Sequence, residues 1–320
     1  MKFKFTITAI CCVFCFYQGF GQKQTVFFLK NSGEKVDKIE KADFFRAITG
    51  PDSGSTLYNV AEYYKDNKLK LISKTSNIDP LSFEGQCISY YPTGKKQEIA
   101  NYHNGHKEGE YYKYYKNGKL YIHTIFEPKD QDNTVEVLMD CIDTAGKVVL
   151  KDGIGYYIGY DDDFKNVNEE GGIKAGLKNG QWKGTAKLGD DKLDFNEEYD
   201  AGKLITGKSV DAAGATYNYT QRNVQPQFKG GLGAFGQFLG SEIKYPGWAR
   251  INRTQGKVLV AFVVGKDGSL GDFKIIQNPN DQMSEEAVRV LKMSPRWTPG
   301  LFYGKIARVS YTVPINFKLN

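Results

Sequence analysis

An offset of 24 residues lays the middle of this chain onto itself. Glu84-Gly85 meets Glu108-Gly109, and Tyr90-Tyr91-Pro92-Thr93-Gly94-Lys95 meets Tyr114-Tyr115-Lys116-Asn117-Gly118-Lys119. A weaker copy stands upstream at Tyr63-Tyr64-Lys65-Asp66-Asn67-Lys68, and drifting copies follow at Asp143–Lys147, Leu177–Trp182 and Tyr199–Lys203. Asn104-Gly105 and Asn117-Gly118 tolerate positive φ at both central positions of a type I′ turn, the tight connection of a β-hairpin. Gly94, Gly105 and Gly118 lie 11 and 13 residues apart, so each unit holds two strands. One hairpin cannot bury its own face, so the units must pair into one antiparallel meander. The tyrosines are expected to supply cross-strand aromatic area and to keep their polar ends in water.

Composition agrees with this reading. The 320 residues include 35 Gly and 21 Tyr but only 10 Pro. Gly normally makes up roughly 7% of a chain, and its excess here suits short strands and tight turns rather than a helical bundle. Charge divides the chain. Residues 221–320 carry 14 Lys and Arg against 6 Asp and Glu, whereas residues 1–220 carry 29 against 31. A basic module is one signature of nucleic-acid binding. The start of the chain argues for export instead, and no nucleic-acid partner is expected.

Lys2 and Lys4 precede an uncharged, mostly apolar stretch, Phe5–Tyr17, and Gly19-Phe20-Gly21 follows before Gln22. This is the layout of a secretory signal peptide, with cleavage expected between Gly21 and Gln22. A helix of 13 residues would span ~20 Å, short of the ~30 Å hydrocarbon core. The expected location is the periplasm, with an inner-membrane anchor left open if the leader is retained. Cleavage would leave Cys87 and Cys141. About four strands separate them, ~19 Å at ~4.8 Å per strand. A disulfide needs Cα atoms within ~7 Å, so two buried apolar side chains are expected rather than a bridge.

The repeat pattern resembles MORN-type repeats in their YwqK-like variant, over residues 61–220. Residues 22–60 read as a further hairpin segment, Thr25–Leu29 and then a turn at Asn31-Ser32-Gly33. Such a sheet would serve as a docking surface or as a spacer.

Residues 221–320 read as a separate domain. Leu232, Phe235, Phe238 and Leu239 recur at helical spacing, Tyr245-Pro246 opens a second helix, and Lys257–Val264 is a strand turned back by Lys266-Asp267-Gly268. Ser269–Gln277 returns; Met283, Ala287, Val290 and Leu291 mark a third helix; Ala307–Leu319 closes as a strand. Gln255-Gly256-Lys257-Val258, Val263-Val264 with Asp267-Gly268, Glu286-Ala287, Arg296-Trp297-Thr298-Pro299-Gly300, Gly304-Lys305 and Val313-Pro314-Ile315-Asn316-Phe317-Lys318-Leu319 then make this stretch similar to the TonB C-terminal domain. Its lead-in, Gln225–Gly231, resembles that of TonB-like proteins of Bacteroidetes type. The resemblance implies a two-layer α+β domain, a three-stranded antiparallel sheet with helices. It also implies a role as a periplasmic component of outer-membrane transport. Such domains bind the TonB box of TonB-dependent transporters by strand addition next to the last strand, and full transducers also engage inner-membrane motor proteins. A β-meander where a Pro-rich spacer would stand, and a leader that looks cleavable, put energy transduction in doubt.

The residues themselves support a binding edge at Ala307, Arg308, Val309, Ser310, Tyr311, Thr312 and Val313. Pro314 has no N–H for a ladder, so the closing strand cannot be central along its whole length. One of Ser310 and Thr312 is expected to aim its N–H outward and the other inward. Arg296, Lys305 and Arg308 are expected to favour an acidic peptide. The alternative is an interaction module that binds a protein or the cell wall without energy coupling, and a homodimer stays open. No catalytic, cofactor or metal site is expected. Gly231–Gly236 spells G-x-G-x-x-G but follows no strand of a βαβ unit. His103, His106 and His123 lack a ligand arrangement, and Asp161–Asp163 with Glu169-Glu170 lacks the alternating oxygens of a calcium loop.

Overall fold

In Tyr64–Lys68, Tyr91–Lys95, Tyr115–Lys119 and Asp143–Lys147 the first N–H donates to the fifth carbonyl at 2.8–2.9 Å, and the fourth N–H donates back to the first carbonyl. The fourth residue, Asn67, Gly94, Gly118 or Gly146, has a φ of 62° to 89°. Only Gly and Asn enter that region readily, which explains the recurring position in the repeat. The type I′ turn expected at Asn117-Gly118 is therefore corrected to a glycine-bulge turn. Gly118 alone is left-handed there, and Asn117 instead accepts the Lys119 N–H at 2.9 Å. Asn104-Gly105 does take positive φ at both positions, between the paired His103 and His106.

The computed structural model describes residues 24–130, 133–189 and 191–319. One compact unit ends at Gly153. Its strands are β1 (Thr25–Leu29), β2 (Lys35–Val36), β3 (Phe44–Thr49), β4 (Tyr58–Tyr64), β5 (Leu69–Ile78), β6 (Leu81–Tyr90), β7 (Lys96–His103), β8 (His106–Tyr114), β9 (Leu120–Pro128), β10 (Thr134–Ile142) and β11 (Val148–Lys151). β1 pairs with β2 and β3, and from β3 to β11 each strand pairs antiparallel with the next. Cys87 and Cys141 are both buried.

The turn tyrosines do more than cover area. Tyr64 donates its hydroxyl to the Tyr90 carbonyl at 2.6 Å, Tyr91 to Tyr114 at 2.7 Å, and Tyr115 to Ile142 at 2.6 Å. Each acceptor is the residue just before a later turn of the same kind, so these three turns are each stitched to the following one. These hydroxyls face backbone carbonyls, not water as expected from the sequence, because a turn exposes carbonyls that no strand pairs.

The second unit begins at Ile154. It holds a six-stranded antiparallel meander, β12 (Ile154–Tyr160), β13 (Val167–Lys174), β14 (Leu177–Leu188), β15 (Asp191–Asp200), β16 (Lys203–Asp211) and β17 (Thr216–Tyr219). Next come β18 (Asn223–Val224), α1 (Gly231–Glu242), α2 (Gly247–Ile251), β19 (Gly256–Val264), β20 (Leu270–Gln277), α3 (Asp281–Lys292), β21 (Gly300–Phe302), β22 (Lys305–Ala307) and β23 (Val309–Phe317). Two small sheets form, β20-β19-β23 and β18-β21-β22. The alternation of β19 places Val258, Val260, Phe262 and Val264 in the core with Val313, Ile315 and Phe317 of β23, Met283, Ala287 and Leu291 of α3, and Trp297. Asn280 caps α3 by accepting the Met283 N–H at 3.0 Å. Leu232, expected on the apolar stripe of α1, is instead 77% exposed, because it lies in the first turn, beyond the core.

Candidate peptide-binding edge

Backbone orientation follows from the turn before β20. Gly265 donates its N–H to Ser269, which directs residue 265 toward β20 and therefore Val264 toward β23. The register Val264↔Val309, Phe262↔Tyr311, Val260↔Val313 and Val258↔Ile315 runs without a shift. Odd-numbered residues of β23 thus pair with β19, and the backbone groups of Ser310, Thr312, Pro314 and Asn316 point away from it. Pro314 fits this parity, since an inward proline would break the ladder opposite Leu259. Among the described residues β23 pairs with β19 alone.

Beside this free edge lies a groove of about 690 Å³, lined on one side by Tyr311–Lys318 and on the other by Phe235, Gly236, Leu239, Gly240 and Ile243 of α1 and its C-cap. Gly236 and Gly240 are one turn apart, and a Cβ added to either meets nothing within 4 Å. The helix wall is held in place from α3. Glu286 accepts the Lys244 N–H at 2.6 Å, and Arg289 donates to the Glu242 carbonyl at 2.8 Å. Arg289 also holds the Glu286 carboxyl below its ordinary range.

The residues singled out in the sequence take different places. Ser310 and Thr312 are exposed and present the outward groups, Tyr311 packs against Trp297 at 5.6 Å, and Val313 is buried. Val309 is half-buried at the start of β23. Ala307 is buried in β22 opposite Gly300, and Arg308 links the two strands. Gly21 and Gln22 lie outside the described residues. The split expected between Ser310 and Thr312 is corrected by the register. Residues two apart in a strand point the same way, so both aim outward. The cations are also committed. Arg308 pairs with Asp272, Arg296 with Asp267 at 3.5 Å, and Lys305 with Asp191 and Asp211 at 3.2 and 3.1 Å. Donation from Lys305, with Tyr217, holds the Asp211 carboxyl down at about 2. Asn316, Gly236 and Gly240 were not read from the sequence as residues of the edge, and only the parity of β23 and the face of α1 bring them together.

The short hairpin β21–β22 was also missed. Its tip, Tyr303-Gly304, is left-handed at both residues, with φ of 49° and 79°. Tyr303 fits between Phe195 and Tyr219, with ring centroids at 5.0 and 5.5 Å, and lies over the Arg222 guanidinium. Its N–H donates to the Arg222 carbonyl and its carbonyl accepts the Ser209 hydroxyl, both at 2.6 Å. Arg222 in turn donates to the buried Glu197 and to Glu169. Burial works to raise the Glu169 carboxyl, and the charges of Lys178 and Arg222 outweigh it, leaving it below its ordinary value.

The signals set aside also have definite places. Gly231–Gly236 forms the first turns of α1. His103 pairs with Glu84 at 2.8 Å, and His123 lies between Glu110 and Asp140, stacked on Tyr112. Asp161 closes a local turn by accepting the Lys165 N–H.

Residues 241–319 match the family of Gram-negative bacterial TonB protein C-terminal domains. This TonB C-terminal match takes in α2, α3 and both walls of the β19–β23 ladder, while most of α1 precedes it. It points to a TonB-like role in outer-membrane transport. No curated protein matches the chain. Among the described residues no helix is long and apolar enough to cross a membrane.

Proposed function

We propose that this chain is a TonB-like periplasmic component of outer-membrane transport that captures the TonB box of TonB-dependent transporters by adding it as a strand to β23. The unpaired edge carries this reading. Ser310, Thr312 and Asn316 aim backbone donors and acceptors beside a groove that two glycines keep clear. Main-chain bonds then supply affinity, and alternate side chains meet the groove. The MORN-like strands are read as a docking surface or a spacer, with the leader ending at Gly21 and inner-membrane motor proteins engaged only if residues 1–17 are retained. Each main-chain bond contributes ~0.5–1.5 kcal/mol net, so a short ladder with one groove gives micromolar-scale affinity.

The test is a titration of the full chain with a TonB-box peptide, read by amide shifts. Shifts at Ser310 and Thr312, with at least tenfold weaker binding by Gly240→Leu at unchanged melting temperature, are expected. Shifts confined to residues 61–220 would favour the interaction-module reading.

A further inference from the structure

A strand of nine residues with one edge unpaired is a hazard, and folded chains guard such edges with charge, a bulge, a cover or proline. Val309–Phe317 contains no charged residue, and its pairing with β19 has no bulge. Its outward backbone positions carry Ser310, Thr312 and Asn316, which are neutral, and α1 stands off across the open groove. Among the described residues Pro314 is the one remaining guard. It faces outward, so it withholds a donor from any visiting strand while the ladder to β19 stays whole.

We infer that Pro314 decides which strands this edge accepts: a short extended peptide that pairs along Ser310–Thr312 is taken, and a second copy of β23 is refused. A visiting peptide that passes residue 314 forgoes one bond, and one that leaves the edge after Thr312 forgoes none. Two copies of β23 pairing antiparallel about a two-fold axis forgo two in every register that includes residue 314, because each copy withholds one donor. Two carbonyls are then left unpaired inside the contact, where desolvation makes them costly. The refusal of a second copy stands without the transport reading; the peptide half rests on it.

Pro314→Thr restores the donor with a strand-forming residue at an exposed position. Sedimentation of the full chain is expected to show self-association at roughly thirtyfold lower concentration than the parent, the equivalent of two recovered bonds. Adding Thr312→Pro, which removes a neighbouring outward donor, is expected to return it to the parent's behaviour. Peptide affinity is expected to rise about fivefold for a peptide long enough to pass residue 314 and to stay unchanged for one that pairs only along Ser310–Thr312. Equal sedimentation of parent and Pro314→Thr, with melting temperatures alike, overturns the inference; Pro314→Ala repeats the test if the threonine variant melts early. A parent chain that binds neither peptide sinks the transport reading and leaves the sedimentation result to stand or fall alone.

Discussion

Orientation at single residues decides what a substitution does to this protein. Thr312 and Val313 are neighbours in one strand, yet their N–H groups face opposite ways. Thr312→Pro is expected to weaken peptide binding about tenfold while melting stays near normal. Val313→Pro removes a donor from the β19 ladder and is expected to cost ~3 kcal/mol or more. Thermal unfolding and peptide titration on both variants check the pair, and equal damage from the two would mean that the parity is wrong. The tyrosine stitches can be tested in the same way. Tyr64→Phe deletes the hydroxyl bonded to the Tyr90 carbonyl at 2.6 Å and keeps the ring. An expected loss of about 1 kcal/mol follows, measured by denaturant unfolding. The sequence marked these tyrosines by their period, but the identity of the acceptor depends on which turn stands beside which.

At the scale of elements, β21–β22 is the piece that binds the C-terminal domain to the strands before it. The hairpin is only a few residues long, yet it carries Tyr303 into a socket formed by Phe195, Tyr219 and Arg222. Tyr303→Ala removes a buried aromatic and is expected to destabilise by ~3 kcal/mol. Tyr303→Phe keeps the ring and is expected to restore most of it. Amide exchange should quicken at β23 as well as at β21–β22 in the alanine variant, because β23 begins two residues after Ala307. Exchange that quickens only within residues 154–219 would detach the hairpin from the edge. This element was illegible beforehand. Gly304-Lys305 entered only through the family resemblance, a three-residue strand leaves no periodicity, and its value comes from residues about a hundred positions away.

Across the whole second unit, acid is expected to loosen the same junction. The Asp211 carboxyl sits at about 2, held there chiefly by the hydrogen bond from Lys305, against an ordinary value of 3.8. A carboxyl depressed in the folded state stabilises fully above its unfolded value and loses that contribution as pH falls through the folded one. The junction should therefore weaken between pH ~4 and ~2. Unfolding followed against pH checks this, with Asp211→Asn expected to flatten the response in that window. A piece cut at residue 221 gives up Phe195, Ser209, Tyr219 and the Asp211 pair together. Residues 221–320 are expected to melt cooperatively but at least about 5 °C below residues 154–320. Equal melting temperatures would show that the socket adds nothing to the domain.

Local chemistry determined much of this protein in advance. Turns recur because Gly and Asn enter the left-handed region at low cost, and strands follow because tight turns at intervals of 11 to 13 residues leave no room for anything else. The C-terminal helices and strands were equally legible, since burying one face writes a period into the chain. A proline near the end announced an edge. Tertiary structure alone decided which backbone groups that edge offers, because parity is inherited from the Gly265–Ser269 turn through β19. It also decided that Lys305, Arg308 and Arg296 spend their charge on this chain's own carboxylates, and that two glycines of α1 face Pro314 across a groove. These last relations join residues far apart in sequence, and no period or spacing records a contact made only when the chain has closed on itself.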